Sequence, residues 1–219
     1  LEGPQVEAYK KQLSRKEELY KILRVTKNWF KSQLNNSLGV EAMKYLTSKR
    51  NLNNKIIDNF ELGFAPDSWN ELFNYLSKVE KFPINLILAS GLAISKDNSD
   101  KIYDRFRNRL IVPIHDMQGR VVAFGGRSLD GQEPKYLNSP ESEIFEKGKM
   151  LFAFEKASSN IRKRDKAIIV EGYFDVISLH SKGITNSVAS LGTALNKYQI
   201  SQLCRCTDNK NIILNFDSD

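Results

Sequence analysis

Four carboxylate side chains near the end of the sequence stand where two short apolar segments finish. Glu171 and Asp175 follow the first segment, and Asp217 and Asp219 follow the second. Carboxylates that lie close together repel one another strongly unless a cation is bound among them. Ligands made only of oxygen suit Mg²⁺ or Mn²⁺, which also bind substrate phosphates. If the fold brings these acids together, the pattern indicates a metal site for phosphate chemistry.

The two apolar segments are expected to bring them together. Ala167-Ile-Ile-Val170 and Ile212-Ile-Leu214 are rich in β-branched residues, too short for helices and bounded by polar residues. This is typical of buried strands in a parallel sheet, and ligands of open α/β sheets bind at the carboxyl ends of such strands. An acid there also favours the N-terminus of the following helix, and for any single acid this simpler explanation is about as good.

Charge is distributed unevenly along the chain. The 219 residues include 33 Lys and Arg against 26 Asp and Glu, which gives a net charge of +7. Many cations lie in residues 1–50, whereas the acidic cluster lies in the last third. A polyanionic partner such as a nucleic acid is indicated, although a solvated Lys-rich surface has the same composition. Two cysteines, Cys204 and Cys206, are too few for a zinc site of four ligands, so no zinc is expected in this chain.

Membrane insertion and export are not indicated by the sequence. No apolar run approaches the roughly 18 residues that a membrane span needs, and the start does not resemble a signal peptide. A soluble, cytoplasmic protein with no membrane partner is expected. Because the sequence begins with Leu1 and ends at Asp219, at the edge of the second acidic segment, it is expected to be a fragment of a longer protein.

Helical periodicity dominates the first hundred residues. A helix over residues 5–35 carries an apolar stripe at spacings of three and four, which predicts a core-facing side. A second helix is predicted for residues 40–48. Asp67 and Ser68 are predicted N-caps of a helix that runs through Trp69.

The period changes after residue 104. Residues 109–115 and 120–127 are predicted to pair as an antiparallel hairpin. Residues 134–140 are too rich in breakers for regular structure, and residues 142–164 are predicted to be helical with one interruption.

A known family shares these motifs in this order. The strand, Glu171-Gly-Tyr-Phe-Asp175, a helix and a distant strand before Asp217-Ser-Asp219 resemble the TOPRIM domain of primases, topoisomerases and several nucleases. A basic block upstream resembles, in order and spacing, the RNA polymerase domain of bacterial DNA primases of the DnaG family. That block consists of Arg105-Phe-Arg107-Asn-Arg109, Phe124-Gly-Gly-Arg127, Pro134-Lys135-Tyr136-Leu-Asn138 and Phe145-Glu-Lys147-Gly-Lys149. Tyr45-Leu-Thr-Ser-Lys49-Arg50 fits the same family, so the resemblance covers nearly the whole chain.

The resemblance implies synthesis of short RNA primers from ribonucleoside triphosphates on single-stranded DNA during replication, in the nucleoid. Glu171, Asp175, Asp217 and Asp219 would be catalytic, and all of these except Asp175 are assigned as ligands of Mg²⁺ or Mn²⁺. The positions implied to bind nucleotide or nucleic acid are Arg50, Arg105, Arg107, Arg127, Lys135, Tyr136, Asn138 and Lys147. Members of the family also have a zinc-binding domain and a domain that binds the replicative helicase, and neither is expected in this chain.

A further candidate comes from spacing alone. Gly192 and Thr193 follow a short strand and precede a helix, so their backbone amides are positioned to bind a phosphate oxygen. An ordinary strand-to-helix turn explains the same residues equally well.

The expected fold is α/β in two parts. A basic α+β subdomain over residues 1–165 is followed by a partial, Rossmann-like TOPRIM domain with a parallel sheet over residues 166–219. Two other functions remain open on the sequence. A TOPRIM nuclease would nick DNA with metal and ignore ribonucleotides, and a catalytically silent binding module would hold single-stranded DNA without metal.

Overall fold

The computed structural model describes residues 3–96, 101–192 and 194–216. Within these ranges the chain forms an antiparallel sheet and a parallel sheet, with helices packed against both. Three of the predicted site residues, Thr193, Asp217 and Asp219, lie outside the described residues.

Helix α1 (Pro4–Leu34) confirms the first predicted helix. Its apolar stripe is buried, since Leu19, Ile22, Phe30 and Leu34 are all at most 2% exposed. The helix packs across the antiparallel sheet and forms one side of the core. A stripe at spacings of three and four therefore marks a core-facing surface, as expected.

Short helices and a small hairpin complete the first half of the chain: α2 (Val40–Lys44), which continues as a π-helical turn over Tyr45–Lys49, α3 (Asn54–Asn59), α4 (Glu71–Asn74), which continues as a π-helical turn over Tyr75–Val79, α5 (Ile84–Ala89), β2 (Ala93–Ser95) and β3 (Ile102–Asp104). The predicted capping of the fourth helix is wrong. That helix begins at Glu71, after Asp67, Ser68 and Trp69, and its N-terminal amides are bound by the distant carboxylate of Asp104 instead.

The antiparallel sheet has the order β1-β4-β5-β6, with strands β1 (Gly63–Ala65), β4 (Arg109–His115), β5 (Val121–Ser128) and β6 (Tyr136–Asn138). Pairing of β4 with β5 confirms the predicted hairpin. The prediction of irregular structure for residues 134–140 is wrong for β6, because its backbone pairs with β5. Tertiary pairing here overrides a local sequence rich in turn residues.

The long helix predicted for residues 142–164 is also partly wrong. Helix α6 spans only Phe154–Arg164, and Lys147–Lys149 form a single 3₁₀ turn. Ser142 bridges back to Phe145, and Ala153 has a positive φ of 61° immediately before α6. These two features are incompatible with an α-helix that starts before residue 154.

The parallel sheet confirms the α/β prediction for the end of the chain, but the prediction that residues 212–214 form a buried strand is wrong in its burial, because Ile213 and Leu214 are exposed. It contains β7 (Ala167–Val170), β8 (Ser187–Ala189) and β9 (Ile212–Asn215) in the order β8-β7-β9, connected by α7 (Tyr173–Ser181) and α8 (Lys197–Cys204). Because β8 and β9 lie on opposite sides of β7, the chain reverses direction across the sheet at β7. The carboxyl end of β7 is therefore the expected ligand-binding edge.

In the part of the chain that the structure covers, no helix combines the length and the apolar character needed to cross a lipid bilayer.

Candidate active site

Glu171 and Asp175 lie at the carboxyl end of the central strand of the parallel sheet. Both side chains are exposed and line the same two cavities, of about 470 and 310 Å³. One carboxylate oxygen of Asp175 accepts the backbone N–H of Gly172 at 3.0 Å, so Asp175 caps α7 as well as facing the cavity. Glu171 has no hydrogen-bond or ion-pair partner among the residues that the structure describes. Its two oxygens are available for a ligand.

The neighbouring strand β9 ends at the same edge of the sheet. In the parallel pairing of β7 with β9, Val170 lies opposite Asn215, and Asn215 lines the smaller cavity beside Glu171 and Asp175. Asp217 follows two residues later in the sequence. No group of three or more His, Cys, Asp or Glu side chains suited to a metal ion occurs within residues 3–96, 101–192 and 194–216. Two of the four predicted acids lie outside those ranges.

The lining of the larger cavity also includes cations. Arg50, Arg127 and Lys135, which we call its basic wall, line it together with the exposed ring of Tyr136, and we call Glu171 and Asp175 its acidic wall. These side chains come from the end of the π-helical turn after α2, from β5 and from the start of β6. Three cations and two carboxylates therefore face one cavity of about 470 Å³.

Aromatic rings hold the two arginines in place. The Cζ atom of Arg50 lies 5.4 Å from the ring centroid of Tyr45 and 4.9 Å from that of Phe174. The Cζ atom of Arg127 lies 5.2 and 5.9 Å from the same two rings. Such stacking fixes a guanidinium without neutralising its charge.

The two arginines donate hydrogen bonds to neutral groups. Arg50 Nε donates to the Tyr45 hydroxyl at 2.8 Å, and Arg127 Nη1 donates to the Tyr136 hydroxyl at 2.5 Å. Arg127 Nε is buried without a partner in the described structure. Neither guanidinium forms an ion pair with a described carboxylate, so the positive charge of both remains available to an anionic ligand.

Local geometry explains how residues five apart reach the same place. The π-helical turn closes with a hydrogen bond from the Arg50 amide to the Tyr45 carbonyl, at 3.1 Å. This wider turn puts the two side chains in contact. Single π-helical turns inside α-helices are frequent at functional sites.

Arg105 does not line this cavity and is half-buried. Its Nη2 and Nε atoms donate to the carbonyl oxygen of Asn138 at 2.9 and 3.2 Å. Burial lowers the pKa of the Arg105 guanidinium. Lys147, half-buried in the 3₁₀ turn before α6, also lies outside the lining of the cavity.

Arg107 lines a separate, larger groove of about 870 Å³. Its Cζ atom lies 4.4 Å from the ring centroid of Trp69 and 5.5 Å from that of Tyr103. Lys96 and Lys101 also line this groove, and no acidic residue does among those that the structure describes. Trp69 is 66% exposed. An exposed ring flanked by cations is the arrangement that binds single-stranded nucleic acid by base stacking.

A buried carboxylate supports this groove. Asp104 accepts the backbone amides of Leu72 and Phe73 at 2.9 and 2.8 Å, and its own amide donates to the Trp69 carbonyl at 2.7 Å. Burial raises the pKa of Asp104 to about 6. The backbone contact ties Trp69 to β3, whose Tyr103 also lines the groove.

Of the predicted phosphate turn, the structure describes Gly192. Gly192 lines the cavity beside Ser190, and its positive φ (71°) explains why glycine is present. Several residues that build the two sites were not predicted from the sequence: Tyr45, Trp69, Tyr103, Tyr173 and Phe174. An aromatic residue near a cation in the folded chain leaves no periodic signal, because the partners come from distant segments.

Comparison with family models gives two matches. Residues 29–158 match the model described as "DNA primase catalytic core, N-terminal domain", and residues 168–219 match a model described as "Toprim-like".

Curated relatives match along the entire chain. A DNA primase of Synechococcus elongatus is 49% identical over 219 residues, which is 100% of this chain and 32% of the relative. A DNA primase of Deinococcus radiodurans is 40% identical over 99% of this chain and 37% of its own length. The chain thus spans about a third of the length of these relatives.

Solved structures with the same fold include a DnaG primase catalytic domain bound to single-stranded DNA. It is 36% identical, with a TM-score of 0.84 over 94% of this chain and 63% of that chain. A DNA primase domain from Pseudomonas aeruginosa is 38% identical, with the same TM-score of 0.84 over 92% of this chain and 62% of that one.

Proposed function

The chain belongs to the catalytic core of DNA primases of the DnaG family, and from that premise we propose that it contributes to the synthesis of short RNA primers from ribonucleoside triphosphates on single-stranded DNA. One observation carries the proposal. The cavity at the end of β7 has Glu171 and Asp175 on one wall and Arg50, Arg127 and Lys135 on the other. A nucleoside triphosphate bound with divalent metal presents the complementary charges to both walls.

The acidic wall fits Mg²⁺ or Mn²⁺. Glu171 is exposed and has no partner within the described residues, and the carboxylates of Glu171 and Asp175 offer the oxygen ligands that these hard cations prefer. We propose Glu171, Asp217 and Asp219 as ligands. Asp175 would orient the site through its cap on α7 and face the substrate with its second oxygen. When bound, the metal would polarise the reacting phosphate and offset its negative charge.

The basic wall fits the triphosphate. Arg50 and Arg127 are pre-oriented by stacking and have donors without acceptors among the described residues, and Lys135 adds a third charge. In the reaction, the primer 3′-hydroxyl oxygen bonds to the α-phosphorus while the bond from that phosphorus to the bridging β-phosphate oxygen breaks. Pyrophosphate leaves, and the hydroxyl proton passes to water. The arginines would stabilise the charge that accumulates on the leaving pyrophosphate.

Tyr136 and the Ser190–Gly192 turn complete the nucleotide site in this proposal. The Tyr136 ring is exposed at the cavity and offers a stacking surface for a base. The turn offers backbone amides to a phosphate oxygen.

The Trp69 groove is proposed to bind the template. Trp69 and Tyr103 offer stacking surfaces, and Arg107, Lys96 and Lys101 provide cations for phosphates. Binding of single-stranded DNA by the 36% identical DnaG catalytic domain supports this assignment. Arg105 would support strand β6, through the Asn138 carbonyl, rather than contact DNA. We further propose that the division between the basic subdomain and the TOPRIM domain falls near residue 165.

The test is ribonucleotide incorporation on single-stranded DNA with Mg²⁺ or Mn²⁺, using the longest natural form of the protein that contains this chain. Glu171→Gln is expected to lower kcat by about 10²- to 10³-fold, because it removes a charge that stabilises the reacting centre. Glu18→Gln, a matched change at an exposed position of α1, is the control and should leave the rate unchanged. Metal-dependent DNA nicking without RNA synthesis would refute the proposal and favour a nuclease.

A further inference from the structure

Asn138 has an environment that differs from that of a ligand-binding residue. Although it lines the cavity, both ends of its side-chain amide are bound within the protein. Its Oδ1 accepts the Tyr173 hydroxyl at 2.5 Å, and its Nδ2 donates to the Leu191 carbonyl at 3.0 Å. Its own backbone carbonyl accepts the Arg105 guanidinium. Both ends of the side-chain amide are therefore fixed in place by protein partners.

The partners of Asn138 belong to the separate walls of the cavity. Tyr173 lies two residues after Glu171, and Leu191 lies inside the Ser190–Gly192 turn. Asn138 itself is on β6, three residues after Lys135, and β6 pairs with β5 so that Tyr136 lies opposite Arg127. One side chain thus connects the acid-bearing strand end, the proposed phosphate turn and the basic wall.

Tyr173 is well suited to a fixed connection. Its ring is 6% exposed and lies directly over Gly125 of β5, where a Cβ atom would be 2.5 Å from the ring. It also packs edge-on against Phe152, with ring centroids 4.9 Å apart.

We propose that Asn138 and Tyr173 are positioning residues, which set the distance and orientation of the acidic wall relative to the basic wall without contacting substrate. This inference rests on the proposed function, because it names further residues needed by the same reaction. Nucleotidyl transfer requires the attacking oxygen, metal ligands and charge-stabilising groups to be aligned to within about an ångström. Loss of the connection would therefore slow the chemical step more than it weakens triphosphate binding.

The experiment compares Tyr173→Phe, Asn138→Ala and the double variant in the longest natural form of the protein that contains this chain. Tyr173→Phe removes only the hydroxyl and keeps the ring over Gly125. Each single variant is expected to lower kcat by about tenfold or more while KM for the ribonucleotide changes by less than about threefold. The double variant should be no slower than the slower single variant, because both break one connection.

Tyr75→Phe is the matched control. It removes a hydroxyl that hydrogen-bonds Glu80 at 2.7 Å, outside both the cavity and the Trp69 groove. This variant should keep wild-type kcat and KM.

A second readout does not depend on activity. Hydrogen exchange of the backbone amides in residues 187–192 should become faster in Tyr173→Phe and in Asn138→Ala, while exchange in β4 and β5 stays unchanged. A raised KM in Asn138→Ala with unchanged kcat would make Asn138 a ligand and overturn the proposal, as would multiplicative effects in the double variant. If the wild-type protein made no RNA, the proposed function would fail. If it made RNA and both single variants kept kcat and normal exchange, only the positioning role would fail.

Discussion

Two clusters in this protein pack arginine against aromatic rings, but their surroundings differ. In the cavity, Arg50 and Arg127 stack on Tyr45 and Phe174. In the groove, Arg107 stacks on Trp69 and Tyr103. Carboxylates face the first cluster, whereas none of the residues described along the groove is acidic.

This difference distinguishes a site suited to catalysis from a site suited only to binding. Acids opposite arginines suit a ligand that brings metal as well as phosphate, and such a site can stabilise charge that changes during a reaction. An open groove with cations and exposed rings suits a long polyanion whose bases stack. The surroundings of an arginine thus carry more functional information than its stacking does.

The strongest test of this comparison is Arg127→Lys. Lysine keeps the charge but loses the planar stack and the forked donors, so kcat/KM for ribonucleotides should fall by about 10²-fold while affinity for single-stranded DNA is unchanged. Arg120→Lys is the matched control, because Arg120 also stacks on a ring, that of Tyr20 at 4.0 Å, away from both sites. Equal losses in the two variants would show that arginine stacking matters for folding and not for catalysis.

Trp69→Ala is expected to act in the opposite way. Removal of one stacked base contact should weaken binding of single-stranded DNA by about 1–3 kcal/mol, with kcat unchanged at saturating template. Tyr9→Ala removes another exposed ring, on α1, and should leave DNA affinity unchanged. Fluorescence anisotropy with a labelled oligonucleotide measures both affinities. A fall in kcat at saturating DNA would place Trp69 in the reaction and remove the distinction between the two clusters.

A smaller effect is expected in the salt dependence of DNA binding. If Arg107 contacts a template phosphate, Arg107→Ala should reduce the slope of log affinity against log salt concentration by about one. Arg50→Ala should leave that slope unaltered, because Arg50 is proposed to bind the triphosphate rather than the template. Similar slopes for the wild type and Arg107→Ala would assign Arg107 to support of Trp69 alone.

The last prediction concerns stability rather than function, at Asp104, the buried carboxylate beneath the groove. Its pKa is raised from 3.8 to about 6, so the folded state binds this proton more tightly than the unfolded state does. The stabilisation that follows is largely present at pH 4 and is lost as the pH rises through 6.

Denaturant unfolding of the wild type and Asp104→Asn at pH 4 and pH 7 tests this directly. The stability of the wild type relative to the variant should be greater at pH 4 than at pH 7, by on the order of 2 kcal/mol. A relative stability that is the same at both pH values would contradict the raised pKa.

Much of the scaffold could be predicted from the sequence. The stripe of α1, the β4–β5 hairpin and the strands β7 and β9 all carry local periodic signals, and the structure confirms them. The position of the acids at one edge of the sheet was also predicted, because residues that follow parallel strands lie at the same edge.

The remainder depends on contacts between distant segments. Arg127 meets Phe174 across 47 positions, and Tyr173 meets Asn138 across 35. Strand β6 formed in spite of its turn residues because β5 supplies its hydrogen bonds. The capping of α4 by Asp104, 32 positions away from Leu72, displaced the local caps that Asp67 and Ser68 would have provided. Neither propensity nor spacing records such pairings.

Gly125 has a consequence for how this protein can change over generations. The Tyr173 ring occupies the volume that any side chain at residue 125 would need. Even an added methyl group would have to displace the Tyr173 ring, whose hydroxyl is bound by Asn138. Residue 125 is therefore expected to remain glycine because of this packing. Variation in the width of the cavity is expected at other lining residues, such as Lys135 or Ser190.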